Sequence, residues 1–180
     1  MADSNAAATF AKGLEGIVAG ETQICSIEQG GLWYRGYEIH DLAQHATFEE
    51  VAHVLLIGHK PSAAELAAFK AELIAERPIP ASVSQFLKDA APQLRKGTAV
   101  PMDVVRTGVS LLAHLDADCQ DNSPAANLRK SKRLLAKIPT IIGQMQNAID
   151  GRPFIAALVT IDPETRDIIQ NIYISKVEKK

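Results

Sequence analysis

A chain of 180 residues is long enough to bury one hydrophobic core, which excludes a peptide-sized module. Its net charge of −2 gives no indication of a polyanionic partner such as nucleic acid, and no apolar run approaches the ~20 residues that span a bilayer. Aromatic residues make up only 5% of the chain and alanine is abundant, so the composition favours helices over a β-sandwich or a barrel.

The first residues carry no recognisable targeting signal. Residues 1–12 lack both the basic start and the apolar centre of a signal peptide, and they predict a flexible leader. Cys25 and Cys119 are far apart and no Cys-x-x-Cys occurs, which indicates two reduced structural thiols rather than a disulfide framework or a zinc site. We therefore expect a cytoplasmic protein with no membrane association.

A β-hairpin is predicted next. Residues 21–27 alternate between polar and apolar side chains, residues 29–31 have the Gln-Gly-Gly composition of a turn, and residues 32–37 are a β-prone run. A single hairpin is marginally stable in water. We therefore expect this one to lie on a helical body or to pair with another chain.

Short helices with clear start signals follow. The capping box places a hydroxyl residue at the helix start and Glu or Gln three residues later, so that each side chain accepts from the other residue's backbone amide. Three segments fit it: Thr47-x-x-Glu50, Ser62-x-x-Glu65 and Ser82-x-x-Gln85. They predict helices over 48–57, 63–76 and 83–91, and residues 39–43 are expected to add one further helical turn.

Two longer stretches, 101–115 and 127–148, are predicted to be amphipathic helices that pack as an antiparallel pair. Pro101 suits the first helical position, and the second stretch would be roughly 33 Å long. Pro139 lies inside the second helix, so we expect a kink at 135–139. Periodicity does not tell whether the apolar stripes are buried in the chain's own core or against another subunit.

The second stretch starts with a group of cations, which is opposite to the preference of the helix dipole. Two interpretations are open, a solvated face or a cluster that faces a partner or an anion. The group comprises Arg129, Lys130, Lys132 and Arg133.

Residues 151–180 then change in character, since an apolar, β-branched run at 154–161 is ambiguous between a strand and a buried helix.

The residues themselves predict no catalytic, cofactor-binding or metal-binding site. None of the five histidines forms a His-x-x-x-His or Glu-x-x-His arrangement on a predicted helix, and the chain has no nucleophile elbow, phosphate-binding glycine loop or Rossmann fingerprint. His40 and Asp41 are adjacent and therefore point to different faces of a helix. Composition and pattern alone lead to a helical domain and no further.

Five segments together resemble the N-terminal part of the large domain in the citrate synthase and 2-methylcitrate synthase family, in its shorter bacterial form. They have that family's order and spacing over about residues 13–153. In this chain they read GLEGIVA at 13–19, YRGYEIHDLA at 34–43, FEEVA at 48–52, PMDVVRT at 101–107 with Val109 and Ser110, and Arg129-Lys130 through AKIPT at 136–140. Val100 departs from the family pattern, which usually has histidine there.

The resemblance implies an all-α, mainly helical fold with a short N-terminal β-hairpin, and a homodimer formed through helices 101–115 and 127–148. It also implies an origin in the condensation of oxaloacetate with acetyl-CoA or propionyl-CoA. The family's catalytic histidines and aspartate lie beyond the matched region, and the segments Gly-Pro-Leu-His-Gly-Gly and Gly-x-Gly-His-Arg-Val-Tyr are absent. We therefore expect a truncated family member that binds no cofactor and is inactive alone.

Two alternatives remain. The chain could be a non-catalytic dimerisation module that pairs with itself or with a full-length homologue, or a decayed product whose exposed stripes cause aggregation. Residues 154–180 are predicted to be a divergent tail. The segment 161–178 weakly resembles a region near the end of amino-acid-binding proteins of transport systems, which would indicate a composite gene.

Overall fold

The computed structural model describes residues 20–28, 30–152, 159–161 and 168–170. The predicted leader at 1–12 lies outside these residues, as does most of the predicted tail at 154–180. Within the described part of the tail, two short strands, Val159–Ile161 and Ile168–Gln170, pair antiparallel, and the first of them lies beside the last helix. The run at 154–161 therefore ends in a strand.

Six helices dominate the described residues, which confirms the predicted mainly helical fold with a small N-terminal sheet. The strands are β1 (Cys25–Glu28), β2 (Gly31–Tyr34), β3 (Tyr37–Glu38), β4 (Val159–Ile161) and β5 (Ile168–Gln170). The helices are α1 (Ile39–His45), α2 (Phe48–Ile57), α3 (Ala63–Glu76), α4 (Ala81–Arg95), α5 (Pro101–Ala113) and α6 (Pro124–Asp150).

The N-terminal sheet has three strands in the order β1-β2-β3, where the sequence predicts two. The predicted second strand is divided by a two-residue turn at Arg35-Gly36, whose φ angles are 51° and 86°. Positive φ at both central residues matches the right-handed twist of the flanking strands, so Tyr34 pairs with Tyr37 across the turn. A non-glycine residue with positive φ carries no sequence signal, which explains the missed turn.

Two of the three predicted capping boxes are present and the third is wrong. Thr47 and Ser62 each accept from the backbone amide three residues later, and α2 and α3 have the predicted bounds. Helix α4 starts instead at Ala81, directly after Pro80, without a side-chain cap. The amide of Gln85 donates to Asp89 one turn further on, 2.8 Å away, rather than acting in a cap.

Helix α6 is longer than the predicted 127–148. It starts at Pro124, because the Ser123 hydroxyl caps it by accepting from the Ala126 amide, and it ends at Asp150, where Gly151 with a φ of 68° is the C-cap. Pro139 lies within the helix, which continues on both sides of it. The kink at 135–139 stays a prediction.

Helix α6 is shared by two hydrophobic clusters. One cluster joins α4, α5 and α6, and the other joins α2, α3 and α6. The first contains Val83, Leu87, Val104, Val105, Leu112, Ile141 and Met145, and the second contains Ala52, Phe69, Leu73 and Ala136. The chain's own core thus accounts for one side of each long helix.

Polar side chains of α6 are also buried against α4. The Ser84 hydroxyl donates to Gln144 Oε1 at 3.1 Å, and the Arg95 guanidinium donates to the carbonyl of Ala148 at 2.9 Å, near the end of α6. Asn147 is buried, and its Oδ1 has no hydrogen-bond partner among the described residues. Periodicity of apolar residues alone gives no indication of this polar contact.

Candidate self-association surface

Helices α5 and α6 meet at a glycine. A Cβ atom added at Gly108 would lie 3.3 Å from Cγ2 of Ile141, which is fully buried. The absence of a side chain at Gly108 therefore lets the two helices approach closely. The predicted packing of the two long helices is confirmed in that they are in contact.

The other side of these helices exposes large apolar side chains. Met102 on α5 is 71% exposed, and Leu115 just after α5 is 55% exposed. On α6, Leu134 and Ile142 are 39% and 40% exposed. Both α5 and α6 therefore have one apolar side buried in the chain's core, and further apolar residues are exposed on or next to them. Of the two possibilities that the sequence left open, burial in the chain's own core holds for one side, and contact with another subunit stays a prediction for the other.

A groove lies between the C-terminal end of α5 and the middle of α6. Its apolar lining comes from Leu112, Leu115 and Leu134, with Pro80 at one side. Asp116, Ala117, Arg133 and Lys137 complete the lining. We call this depression the α5–α6 groove. An apolar floor bordered by charged groups suits an apolar side chain that carries a polar neighbour.

The arginines at the start of α6 form ion pairs within the chain, and the side chain of Arg129 is still 51% exposed to solvent. Both arginines bind carboxylates of the loop that precedes α6. Arg129 donates to Asp118 at 2.7 and 2.9 Å, and Arg133 donates to Asp116 at 2.7 and 2.9 Å and to Asp118 at 2.6 Å. The loop is therefore anchored to the helix that follows it.

This ion-pair cluster also shifts the protonation equilibria of its members. The hydrogen bonds from Arg129 and Arg133 hold the pKa of the Asp118 carboxyl well below its usual range. The same hydrogen bonds raise the pKa of both arginines. The sequence did contain a signal, because Asp116 and Asp118 precede two arginines that are four positions apart on one helix face.

The remaining cations of α6 tie it to α3 and to the loop. Lys132 contacts the Glu72 carboxylate at 2.7 Å. Lys130 donates to the carbonyl of Asp121 at 2.6 Å. Lys137 donates to the carbonyl of Glu76, the last residue of α3, and to that of Pro78 just beyond it, and a cation is favourable at the C-terminus of a helix. The lysines of α6 therefore connect this helix to its neighbours within the chain.

Two of the histidines, His53 and His59, lie close together, with ring centroids 5.1 Å apart. In the part of the chain that the structure describes, no group of three or more His, Cys, Asp or Glu side chains could hold a metal ion. His53 is buried and its Nδ1 lies 2.9 Å from the carbonyl of His59, whereas His45 contacts Asp41 at 3.0 Å on α1. Both cysteines are free, as the sequence predicts.

Among the described residues, no helix is long and apolar enough to cross a bilayer. The exposed apolar residues of α5 and α6 are spaced along helices that also carry several charges. We therefore treat the outward side of α5 and α6, including the α5–α6 groove, as the candidate functional surface.

Comparison with known proteins gives a consistent result. A sequence model described as "Citrate synthase, C-terminal domain" matches residues 13–174. The 2-methylcitrate synthase of Shewanella oneidensis is 42% identical over 132 residues, which are 72% of this chain and 33% of that protein. The citrate synthase of Deinococcus radiodurans is 38% identical over 149 residues, covering 82% and 38% of the two chains. The chain thus spans about a third of the length of these relatives.

Solved structures of citrate synthases are similar to most of the chain. The crystal structure of citrate synthase from Pyrobaculum aerophilum has a TM-score of 0.69 at 27% identity, and covers 78% of this chain and 37% of that one. The structure from Thermotoga maritima has a TM-score of 0.64 at 28% identity, covering 79% and 36%. Sequence and fold therefore agree on one family.

Proposed function

Because the chain belongs to the citrate synthase and 2-methylcitrate synthase family, we propose that it is a helical, homodimer-forming part of such an acyltransferase and is inactive alone. The family reaction condenses oxaloacetate with acetyl-CoA or propionyl-CoA to citrate or methylcitrate. The proposal assigns the dimer contact to α5 and α6, within residues 101–115 and 127–148, and locates the protein in the cytoplasm.

The exposed apolar residues of α5 and α6 carry this proposal. Leaving apolar surface exposed to water is unfavourable by roughly 25 cal/mol for each Å², relative to burying it. Met102, Leu134 and Ile142 lie on two helices that already contact each other, and Leu115 follows directly after α5. A second chain placed over them would remove this surface from water.

The absence of activity is proposed on chemical grounds. Removing a proton beside a thioester requires a placed base, and the enolate that forms requires a hydrogen-bond donor at its oxygen. The sequence lacks the two family segments that carry the catalytic histidines, Gly-Pro-Leu-His-Gly-Gly and Gly-x-Gly-His-Arg-Val-Tyr. We therefore propose that oxaloacetate and acyl-CoA are substrates of the complete enzymes and that this chain alone does not convert them.

Sedimentation of the purified chain combined with a thiol-release assay tests the proposal. The assay uses oxaloacetate with acetyl-CoA or propionyl-CoA, and a complete citrate synthase serves as positive control. We expect a compact dimer and no thiol release above the blank. Thiol release by this chain contradicts the proposed inactivity, and a stable monomer contradicts the proposed association.

The same surface supports a second candidate function. A non-catalytic module with an exposed α5–α6 face could pair with a full-length homologue as well as with itself. Native mass spectrometry of the chain mixed with a complete 2-methylcitrate synthase distinguishes the two cases. A mass equal to one chain of each kind supports the module, whereas two separate homodimers after prolonged mixing contradict it.

A further inference from the structure

We infer that the outer edge of β1 is a separate surface for self-association, at which β1 of one copy pairs antiparallel with β1 of another about a two-fold axis through Ser26. This inference goes beyond the proposed contact of α5 and α6 and does not depend on it. It concerns the N-terminal hairpin, for which the sequence left open attachment to the helical body or pairing with another chain.

The sheet is attached to the helical body near the turn between β2 and β3. The Arg35 guanidinium donates to the carbonyl of Leu55 in α2 at 3.4 Å, and the Lys60 amide donates to the Tyr37 hydroxyl at 3.2 Å. Strand β3 leads directly into α1. Strand β1 lies on the other side of β2, and no strand of the described residues pairs with its outer edge.

The hydrogen-bond pattern decides which backbone groups of β1 face outwards. In an antiparallel pair, every second residue directs both its N–H and its C=O to the partner strand. The Arg35 amide donates to the carbonyl of Ile24 at 2.9 Å, so Ile24 and Ser26 are turned towards β2. The N–H and C=O groups of Cys25 and Ile27 therefore point away from β2 and form an unpaired edge.

Strand β1 has none of the features that commonly keep an edge strand from pairing. Such edges are often protected by lysine, proline or a β-bulge. The pairing of β1 with β2 contains no bulge, and the only charged residue of β1 is Glu28 at its end. Ile27 is 83% exposed, and Cys25 is also exposed. The edge therefore presents apolar side chains together with unpaired backbone groups.

The length of this edge determines the register. The chain bends at 23–24, where the Thr22 hydroxyl accepts from the Ile24 amide at 3.1 Å, and β1 begins at Cys25. A two-fold axis through Cys25 or Ile27 would pair only one of these two residues with itself. An axis through Ser26 places Cys25 of each copy opposite Ile27 of the other, so that the outward groups of both residues are paired.

The side chains fit the same register. Cys25 and Ile27 share one face of the sheet, because side chains alternate along a strand. Each exposed Ile27 would lie beside Cys25 of the other copy, and a free cysteine behaves as a small apolar side chain. Because the paired segment is short, we expect a weaker contact than one between two long helices. It should join α5–α6 dimers only at high protein concentration.

Disulfide trapping captures a short contact of this kind. Ser26 would face its own copy in a pair without hydrogen bonds, with Cα atoms ~4.5 Å apart, whereas the two Cys25 residues would be ~8 Å apart, beyond the ~7 Å limit for a disulfide. With Cys25→Ser and Cys119→Ser as background, Ser26→Cys should form a covalent dimer in oxidised glutathione ~10-fold faster than the exposed control Ser82→Cys. Native Cys25, with Cys119→Ser alone, should not exceed the control.

A proline at position 27 is the second test. Because the Ile27 N–H points outwards, Ile27→Pro keeps the hydrogen bonds between β1 and β2 and removes a donor that the second copy needs. Added to Ser26→Cys, it should lower the rate of cross-linking by ~10-fold or more, whereas Ile27→Val should leave the rate nearly unchanged. Circular dichroism checks that each variant is folded.

Three results overturn the inference. They are a rate for Ser26→Cys no higher than that of Ser82→Cys, faster cross-linking through native Cys25, and equal rates for Ile27→Pro and Ile27→Val. Adding Ile142→Asp to Ser26→Cys separates this contact from the proposed one on α5 and α6. An unchanged rate supports an independent surface, and loss of the cross-link contradicts it.

Discussion

Gly108 of α5 and Ile141 of α6 approach so closely that the first carbon of any side chain at position 108 would lie 3.3 Å from the isoleucine. A larger residue at this point must push α5 away from α6 or displace a side chain that is fully buried. The contact lies inside one chain, although both helices belong to the proposed association surface. Substitutions on these helices can therefore change either folding or association, depending on the side that they affect.

Replacing Gly108 with leucine should destabilise the fold. Overpacking a well-filled core typically costs about 1–3 kcal/mol, and Ile141 has no exposed side to which it can move. Chemical denaturation measures the change in the free energy of unfolding. Ser110→Leu is the matched control, since Ser110 is exposed on the same helix, and an equal loss in both variants would contradict the close contact.

The neighbouring residues Ile141 and Ile142 should respond differently to aspartate. Ile141→Asp places a carboxylate in the core of the chain, and burying an unpaired charge costs several kcal/mol, so this variant should unfold. Ile142→Asp changes a side chain that is 40% exposed, so the chain should stay folded and lose its dimer mass. Circular dichroism and sedimentation separate these effects, and a dimeric Ile142→Asp would place the interface away from this residue.

Neutralising Asp118 should lower thermal stability in a pH-dependent way. Hydrogen bonds from Arg129 and Arg133 depress the folded-state pKa of Asp118 below the unfolded value of about 4, so its contribution is present above that pH and is lost as the pH falls through the folded pKa. The difference in Tm between the wild type and Asp118→Asn should therefore be largest near neutral pH and shrink below about pH 4.

The control for Asp118 is Glu49→Gln. Glu49 lies 4.0 Å from Lys70, and an ion pair of this kind at a surface is worth about 0–1 kcal/mol. Its effect on Tm should be small at neutral pH. A Tm difference for Asp118→Asn that does not change between pH 7 and pH 3 would show that the loop is held by something other than these ion pairs.

Alanine substitutions at the three hydroxyl positions of the capping-box patterns should lower the stability of the fold by different amounts. Thr47→Ala and Ser62→Ala each remove a hydroxyl that accepts from a backbone amide, and such caps contribute about 0.5–2 kcal/mol. Ser82→Ala should cost much less, because α4 begins at Ala81 and Ser82 does not cap it. Thermal unfolding of the three variants measures this order, and a large loss for Ser82→Ala would contradict it.

The sequence predicted those parts of the fold that are determined by residues only a few positions apart. The bounds of α2 and α3 follow from Thr47 and Ser62, because a cap is formed by residues three positions apart. The start of α4 did not follow, since Pro80 both precludes an earlier helical start and fixes a backbone angle that suits a helix entry. The start of α6 was also missed. The predicted helix began at 127, whereas the helix begins at Pro124 with Ser123 as its cap, although a serine before a proline is a recognisable start.

Relations between distant parts of the chain were harder to predict. The apolar pattern of 127–148 is the same whether Ile141 faces α5 or another subunit, and only the fold shows that Ile141 is buried and Ile142 exposed. The role of Arg133 depends on where the loop at 116–118 returns, which helical periodicity does not specify. The candidate surface was therefore predicted at the level of helices and not of individual residues.

Helix α6 contributes residues to both hydrophobic clusters. Two groups of helices, α2 with α3 and α4 with α5, therefore pack on this one shared helix, and we call each group a lobe. Proteolysis at 77–80, between α3 and α4, would leave each lobe attached to its own part of α6, and the two fragments could remain joined after the cut. A break near Ala136, by contrast, would separate the lobes from each other. Circular permutants that open the chain at 77–80 should therefore fold more readily than permutants that open it inside α6.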